Sequence, residues 1–341
     1  VSGVRPSISL NGEIVAGNFS AWSAYAGVPV RSVIKCNGYN WGYKQMIDIL
    51  DPLCKEYCVA DIGELAAARV FTNHPIVVLG ATAAGRIAEA LDANGIPTIN
   101  TREELAAAVT WFERTGRRPR IRVGLQPAIG WTGMSLAQIE ELAPQLAASG
   151  FSTEVWTHIT DMDETGRLRD RLAQAAHSLR CHGANVVASE VASTYPLAAG
   201  GAMGDTARVG IGLFGSTGGS HIEGVRCALR VSAPVVAVIP VKAGTKVGYG
   251  QRKIGQDGSV LTLRCGYGDG LPKSLANTSD ILSVGMQHTT VIPPHEPFGE
   301  QVVALIDEAT DLDAFAAAGG VSPHELVTAL GNAQSRTHVV A

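Results

Sequence analysis

Charge is scarce in this chain: 17% of its 341 residues are charged, and they balance to a formal −4. Nothing here makes the basic footprint that nucleic acid or an anionic membrane surface requires. No apolar run approaches the roughly 18 residues that would span a bilayer, and the N-terminus lacks the basic-then-apolar layout of a signal peptide. The expectation is a soluble, cytoplasmic protein with no membrane partner. Cysteine is sparse and scattered, at positions 36, 54, 58, 181, 227 and 265. The pair Cys54 and Cys58 has no matching pair downstream, which argues against a zinc site and against a disulfide framework. What the chain does have is apolar residues, 46% of the total. That suffices for a core, and the length favours two domains or one barrel with an appendage.

From about residue 30 to 215, short β-branched runs alternate with alanine-rich stretches of helical period. The strand candidates are 32–35, 57–60, 76–79, 97–99, 120–124, 153–158, 185–189 and 208–212. The helical stretches between them include 63–69, 86–93, 102–114, 136–147 and 166–180. These are long enough for the crossovers of parallel strands, so the pattern predicts a (β/α)8 TIM barrel with its site at the strands' C-terminal ends. Beyond residue 225 the pattern turns to strands, 229–240, 246–250, 260–264 and 283–292, with Asp257-Gly258 as a hairpin turn and little helix before 323–330. The expected division is a barrel over 8–225 and a mainly β domain over 226–341 that also takes residues 1–7.

Lys35 closes the first strand candidate. A lysine in that place is desolvated, which favours the neutral amine able to condense with an aldehyde, although a plain phosphate or carboxylate ligand fits the position equally. The other candidates also have structural readings. His158 is compatible with a satisfied barrel histidine, Arg208 with an ordinary ion pair, and Tyr39 and Ser193 with packing. His158, Asp161 and Asp163 lack the distant partners of a metal site, and residues 215–219 lack the lysine of a P-loop. No metal is expected.

Lys35-x-Asn37-x-Tyr39-x-x-Gly42 after an apolar strand resembles the cofactor-lysine motif of the alanine racemases, two-domain barrel enzymes that use pyridoxal 5'-phosphate (PLP). The resemblance recurs in order along nearly the whole chain. Residues 57–60 and 64–66 are similar to the family's second strand and helix. Residues 158–164 resemble the segment with its active-site histidine, and Ser193 falls where its phosphate-binding serine stands. Arg208-Val209-Gly210-Ile211 through Gly215 resembles its Arg-x-Gly-Ile-x-x-Tyr-Gly block. Val247-Gly248-Tyr249-Gly250 and Gly266-Tyr267-Gly268-Asp269-Gly270 are similar to two further signatures.

This resemblance implies a PLP-dependent amino-acid racemase acting on alanine or another small or polar amino acid. Lys35 would hold the cofactor as an aldimine and serve one face of the substrate Cα. Tyr267 would serve the opposite face, reaching in from the partner of a homodimer with shared sites. Two bases are needed because a single base tends to return the proton to the face it left. A phenol, with an unperturbed pKa of about 10, needs neighbours that favour its anion, a role implied for His158 and Arg208. Arg208 would also face the pyridine nitrogen, and Tyr39, Ser193, Gly210 and Ile211 would cradle the phosphate.

Three departures from the family fall on the substrate side. Arg122 occupies the place of a fifth-strand lysine, and Ala128 or Ile129 the place of an arginine. Arg122 is therefore expected to supply the missing charge to the substrate. Gly285-Met286-Gln287 replaces the usual Met-Asp, leaving Met286 at the site rim. Arg336-Thr337-His338 replaces an Arg-x-Tyr. These changes keep two alternatives open: a related PLP enzyme whose reaction has drifted to epimerisation or aldol-type cleavage, and an inactive PLP-binding protein.

Overall fold

In a computed structural model of the chain, the described residues are 5–128, 130, 132–159, 162–278, 280–293 and 302–333. Ile129, Trp131, Asp161 and the Arg336-Thr337-His338 segment lie outside them. The first strand, β1 (Ser7–Leu10), precedes a 15-residue helix, Gly12–Ala26, that begins where Asn11 Oδ1 accepts from Ile14 N. Eight parallel strands follow: β2 (Val30–Val33), β3 (Tyr57–Val59), β4 (Ile76–Ala81), β5 (Gly95–Ile99), β6 (Arg120–Gly124), β7 (Ser152–His158), β8 (Val186–Ala192) and β9 (Ala207–Val209). Their order, β8-β7-β6-β5-β4-β3-β2-β9, is that of a nearly closed (β/α)8 barrel.

Several helix starts are readable in local chemistry. Asp61, Thr101 and Ser135 cap the helices that start at Ile62, Arg102 and Leu136, satisfying amides that a helix N-terminus leaves free. The strands between them are largely buried and turn apolar residues such as Ile121, Val123 and Val155 toward the helices.

The second half is an antiparallel sheet of order β1-β10-β13-β15-β14, built from β10 (Leu229–Val241), β13 (Gly258–Leu263), β14 (Ile281–Val284) and β15 (Thr289–Val291). Lys246–Val247 (β11) and Arg252–Lys253 (β12) form a separate small ladder, and β16 (Val302–Ile306) also pairs with β10. The long β10 is the spine: its first half pairs with β1 and β16, its second half with β13. The N-terminal contribution to this sheet therefore runs to Leu10.

Some expectations are corrected. The run 283–292 is two strands with a turn between, and Gly258 opens β13 instead of closing a two-residue hairpin, because β13 pairs with β10 and not with β12. A helix at Leu312–Ala318 precedes the one at Pro323–Gly331. Among the described residues no helix is long and apolar enough to cross a membrane.

Candidate active site

Strand β2 ends at Val33, so Lys35 opens the following turn and does not close the strand. That turn is left-handed: Cys36, Asn37, Gly38, Tyr39 and Asn40 have φ between 52° and 67°. Non-glycine residues adopt this region at a cost of roughly 1–2 kcal/mol each, so the surroundings must enforce it. Asn37 Oδ1 accepts from Tyr43 N at 3.0 Å, Asn40 Nδ2 donates to Thr328 O at 3.0 Å, and buried Trp41 donates Nε1–H to Val327 O at 3.2 Å. The consequence is that Lys35 and Tyr39, four residues apart, line one cavity.

The cavity, about 320 Å³, lies at the C-terminal ends of the barrel strands, where such barrels place their chemistry. Of the residues singled out in the sequence, Lys35, Tyr39, His158, Ser193, Arg208, Gly210 and Ile211 meet there. Trp156, Thr194 and His324 join them. Trp156 was legible in principle, two positions before His158 on the same face of β7. His324 carried no sequence signal beyond its place at the start of a helix.

Among the described residues no carboxylate lines this cavity, whereas a lysine, an arginine and two histidines do. It is a site for an anion. At one end Gly210 brings its backbone so close that an added Cβ would stand 2.2 Å from the Tyr39 hydroxyl oxygen. The Gly210 amide lies 3.4 Å from Thr194 Oγ1, and Ser193 precedes the Thr194–Gly200 helix. Burial pushes the Tyr39 phenol well above its ordinary value, so it remains a hydrogen-bond donor. Leu79, Leu125 and Trp156 supply flat apolar walls. A phosphate on an aromatic aldehyde fits this donor set: Lys35 for the aldehyde, Tyr39, Ser193, Thr194 and Gly210 for the phosphate, Arg208 for the ring.

Beneath the cavity, buried arginines and glutamates fill the barrel. Arg122 is 0% exposed. It donates Nη2–H to Glu190 at 2.7 Å, lies 3.2 Å from Glu154, and sets its guanidinium 4.6 Å over the Trp156 ring. It does not line the cavity, so the expected contact between Arg122 and substrate is corrected: two glutamates already take up its charge. Arg208 pairs with Glu190 at 2.5 Å and also lies over Trp156, at 4.9 Å. Burial opposes the Glu190 charge, yet Arg208, Arg122 and Arg31 hold its carboxyl at about 2.

Tyr267 and Met286 are apart from the cavity of their own chain. They neighbour each other on the C-terminal domain, joined by hydrogen bonds from Tyr267 N to Gly285 O and from Gly268 N to Met286 O, both 2.9 Å. Both side chains face outward, 41% and 60% exposed.

A (β/α)8 barrel with a lysine and an anion cradle at its mouth, continued by a β domain with an exposed tyrosine loop, defines a two-domain PLP enzyme of barrel type. The Alanine racemase, N-terminal domain family matches residues 12–218 and the Alanine racemase, C-terminal domain family matches residues 228–338. The chain belongs to the alanine racemase family, the PLP-dependent amino-acid racemases. It is 27% identical to an alanine racemase of Dinoroseobacter shibae, with 97% of each chain covered. It is 26% identical to one of Acidiphilium cryptum, covering 96% of this chain and 97% of that one. The fold is shared with the alanine racemase structure from Acinetobacter baumannii, at a TM-score of 0.84 and 17% identity over 98% of this chain and 99% of that one. It is also shared with that from Bartonella henselae, described with covalently bound pyridoxal phosphate, at 0.80 and 18% over 99% and 100%.

Proposed function

We propose that this PLP-dependent amino-acid racemase interconverts L- and D-forms of a small or polar amino acid with two bases, Lys35 and the partner subunit's Tyr267. The observation that carries the reading is the division of the site: the cavity holds Lys35 and the anion cradle, while Tyr267 stands outside it on an exposed loop. A head-to-tail homodimer brings that loop over the barrel mouth of the other copy, with Met286 beside it at the rim.

Bound in the cavity, PLP supplies an electron sink for the charge left at the substrate Cα. Lys35 takes or returns the Cα proton on one face, and Tyr267 does so on the other. Tyr39, Ser193, Thr194 and Gly210 would hold the phosphate of a bound PLP and so orient the substrate between the two bases. His158, by hydrogen bonding, and Arg208, by its charge, would favour the phenolate, in a cavity whose apolar walls strengthen the field. Arg208, held by Glu190, would face the pyridine nitrogen of a bound PLP; because a guanidinium keeps its proton, it would limit charge flow into the ring and restrain side reactions. A cytoplasmic setting agrees with six unpaired cysteines, four of them buried.

Single L-amino acids incubated with the holoenzyme in deuterated water test the reading by chiral analysis. At least one should give its D-form with deuterium at Cα. No deuterium at Cα with any amino acid would sink it.

A further inference from the structure

Trp156 lines the Lys35 cavity, and the racemase mechanism above gives it no part beyond that of a wall. Two guanidinium groups lie over its ring: Arg122 Cζ is 4.6 Å from the centroid and Arg208 Cζ 4.9 Å. The same two arginines meet at one carboxylate oxygen, Glu190 Oε1, with Arg122 Nη2 at 2.7 Å and Arg208 Nε at 2.5 Å. Arg122, Trp156, Glu190 and Arg208 come from β6, β7, β8 and β9 in turn, and all four are buried.

The ring matters because the charges around it do not balance. Among the described residues, the ion-pair network inside the barrel joins four arginines, Arg31, Arg120, Arg122 and Arg208, to three glutamates, Glu56, Glu154 and Glu190. One positive charge is left without a carboxylate of its own. Arg31 pairs with all three glutamates and Arg120 with two, whereas Arg208 is ion-paired only with Glu190, and Arg122 Nη1 has no hydrogen-bond partner among the described residues. A buried guanidinium short of counter-charge is stabilised by the negative face of an aromatic ring, most strongly by an indole. The buried Trp156 Nε1–H donates to none of the described residues, so the ring face, and not a hydrogen bond, ties Trp156 to its neighbours.

We propose that Trp156 is a positioning residue for Arg208: its indole holds that guanidinium, with Arg122 on the same ring, in the orientation that meets the ring nitrogen of a bound PLP. The inference rests on the reading in which Arg208 faces that nitrogen. Glu190 holds Arg208 at Nε, which leaves the two Nη groups free to turn about that point. Stacking of the planar guanidinium on the indole supplies the second constraint. Without the ring, Arg208 turns about Glu190 and its contact to the nitrogen weakens.

Binding titrations of the full chain with PLP and with 1-deaza-PLP, in which a C–H replaces the ring nitrogen, separate this role from plain packing without any turnover. Trp156→Leu should weaken PLP binding by about fivefold or more and leave the affinity for the deaza analogue within about twofold of wild type. Trp156→Phe, which keeps a weaker aromatic face, should lose less. Circular dichroism checks the fold of each variant; if Trp156→Leu does not fold, Trp156→Phe decides, with a loss of about twofold for PLP and none for the analogue expected. Equal losses for the two ligands, as a wall packed on the cofactor would give, or no loss for either, overturn the proposal. Arg208→Met is the reference. If it weakens both ligands alike, the reading of Arg208 fails and takes the proposal with it; if it discriminates between them and the Trp156 variants do not, the proposal alone fails.

Discussion

Arg208 Nε lies 2.5 Å from Glu190 Oε1, an ion pair across the junction of β8 and β9, where the described residues form no strand ladder. Around it, Asp205 N donates to Ser189 O at 2.8 Å and Ser189 N to Asp205 Oδ2 at 2.8 Å. Glu190 also accepts from Arg31 and Arg122. The barrel is therefore closed at its seam by side chains and one backbone bond in place of a strand ladder, and the same carboxylate pairs with the arginine that lines the cavity.

Glu190→Gln should then cost roughly 3–5 kcal/mol, because three buried guanidinium groups lose a shared counter-charge. Urea unfolding measures it. The Glu190 carboxyl is lowered from 4.5 to about 2 in the fold, so its stabilisation is complete above 4.5 and is lost as the pH falls toward 2. The gap between wild type and variant should narrow across that window. Equal stability at pH 7 would refute the role of Glu190.

The alternation of strand and helix was legible because each unit is local; β6, Arg120–Gly124, lies where its β-branched pattern put it. The cavity residues were legible through motifs that keep chemistry-bearing side chains at fixed spacing. The partners of Arg122 were not, since Glu190 is 68 residues away and only barrel closure brings the two together. The left-handed turn after β2 leaves no mark in hydrophobic period. The Gly12–Ala26 helix escaped notice for a related reason: it buries residues on several faces, including Asn18, whose amide donates to Leu213 O and Arg226 O, so its apolar stripe is blurred.

Gly210→Ala tests the anion cradle. The new methyl would stand 2.2 Å from the Tyr39 hydroxyl oxygen and 3.2 Å from Val33 Cβ, and the buried Tyr39 ring packs at 5.2 Å on Phe214. Affinity for PLP, followed by fluorescence titration, should fall by about tenfold or more, the loss of roughly 1.4 kcal/mol, with the circular dichroism unchanged. Wild-type affinity in the variant would remove Gly210 from the cofactor site.

Sharing of sites between subunits has a quantitative signature. Lys35→Ala and Tyr267→Phe should each be inactive as a pure protein in at least one direction of turnover. Random exchange of equal amounts should restore about a quarter of wild-type activity, since half the dimers then carry one intact site of two. No recovery, once exchange is verified by mass spectrometry of tagged subunits, would mean that Tyr267 does not act across the interface.

The Lys35 nitrogen itself offers the most direct test. Borohydride treatment of the yellow holoenzyme, then proteolysis and mass spectrometry, should find the phosphopyridoxyl group on the peptide containing Lys35 and on no other. Its absence from that peptide, or its presence on a different lysine, would contradict the account.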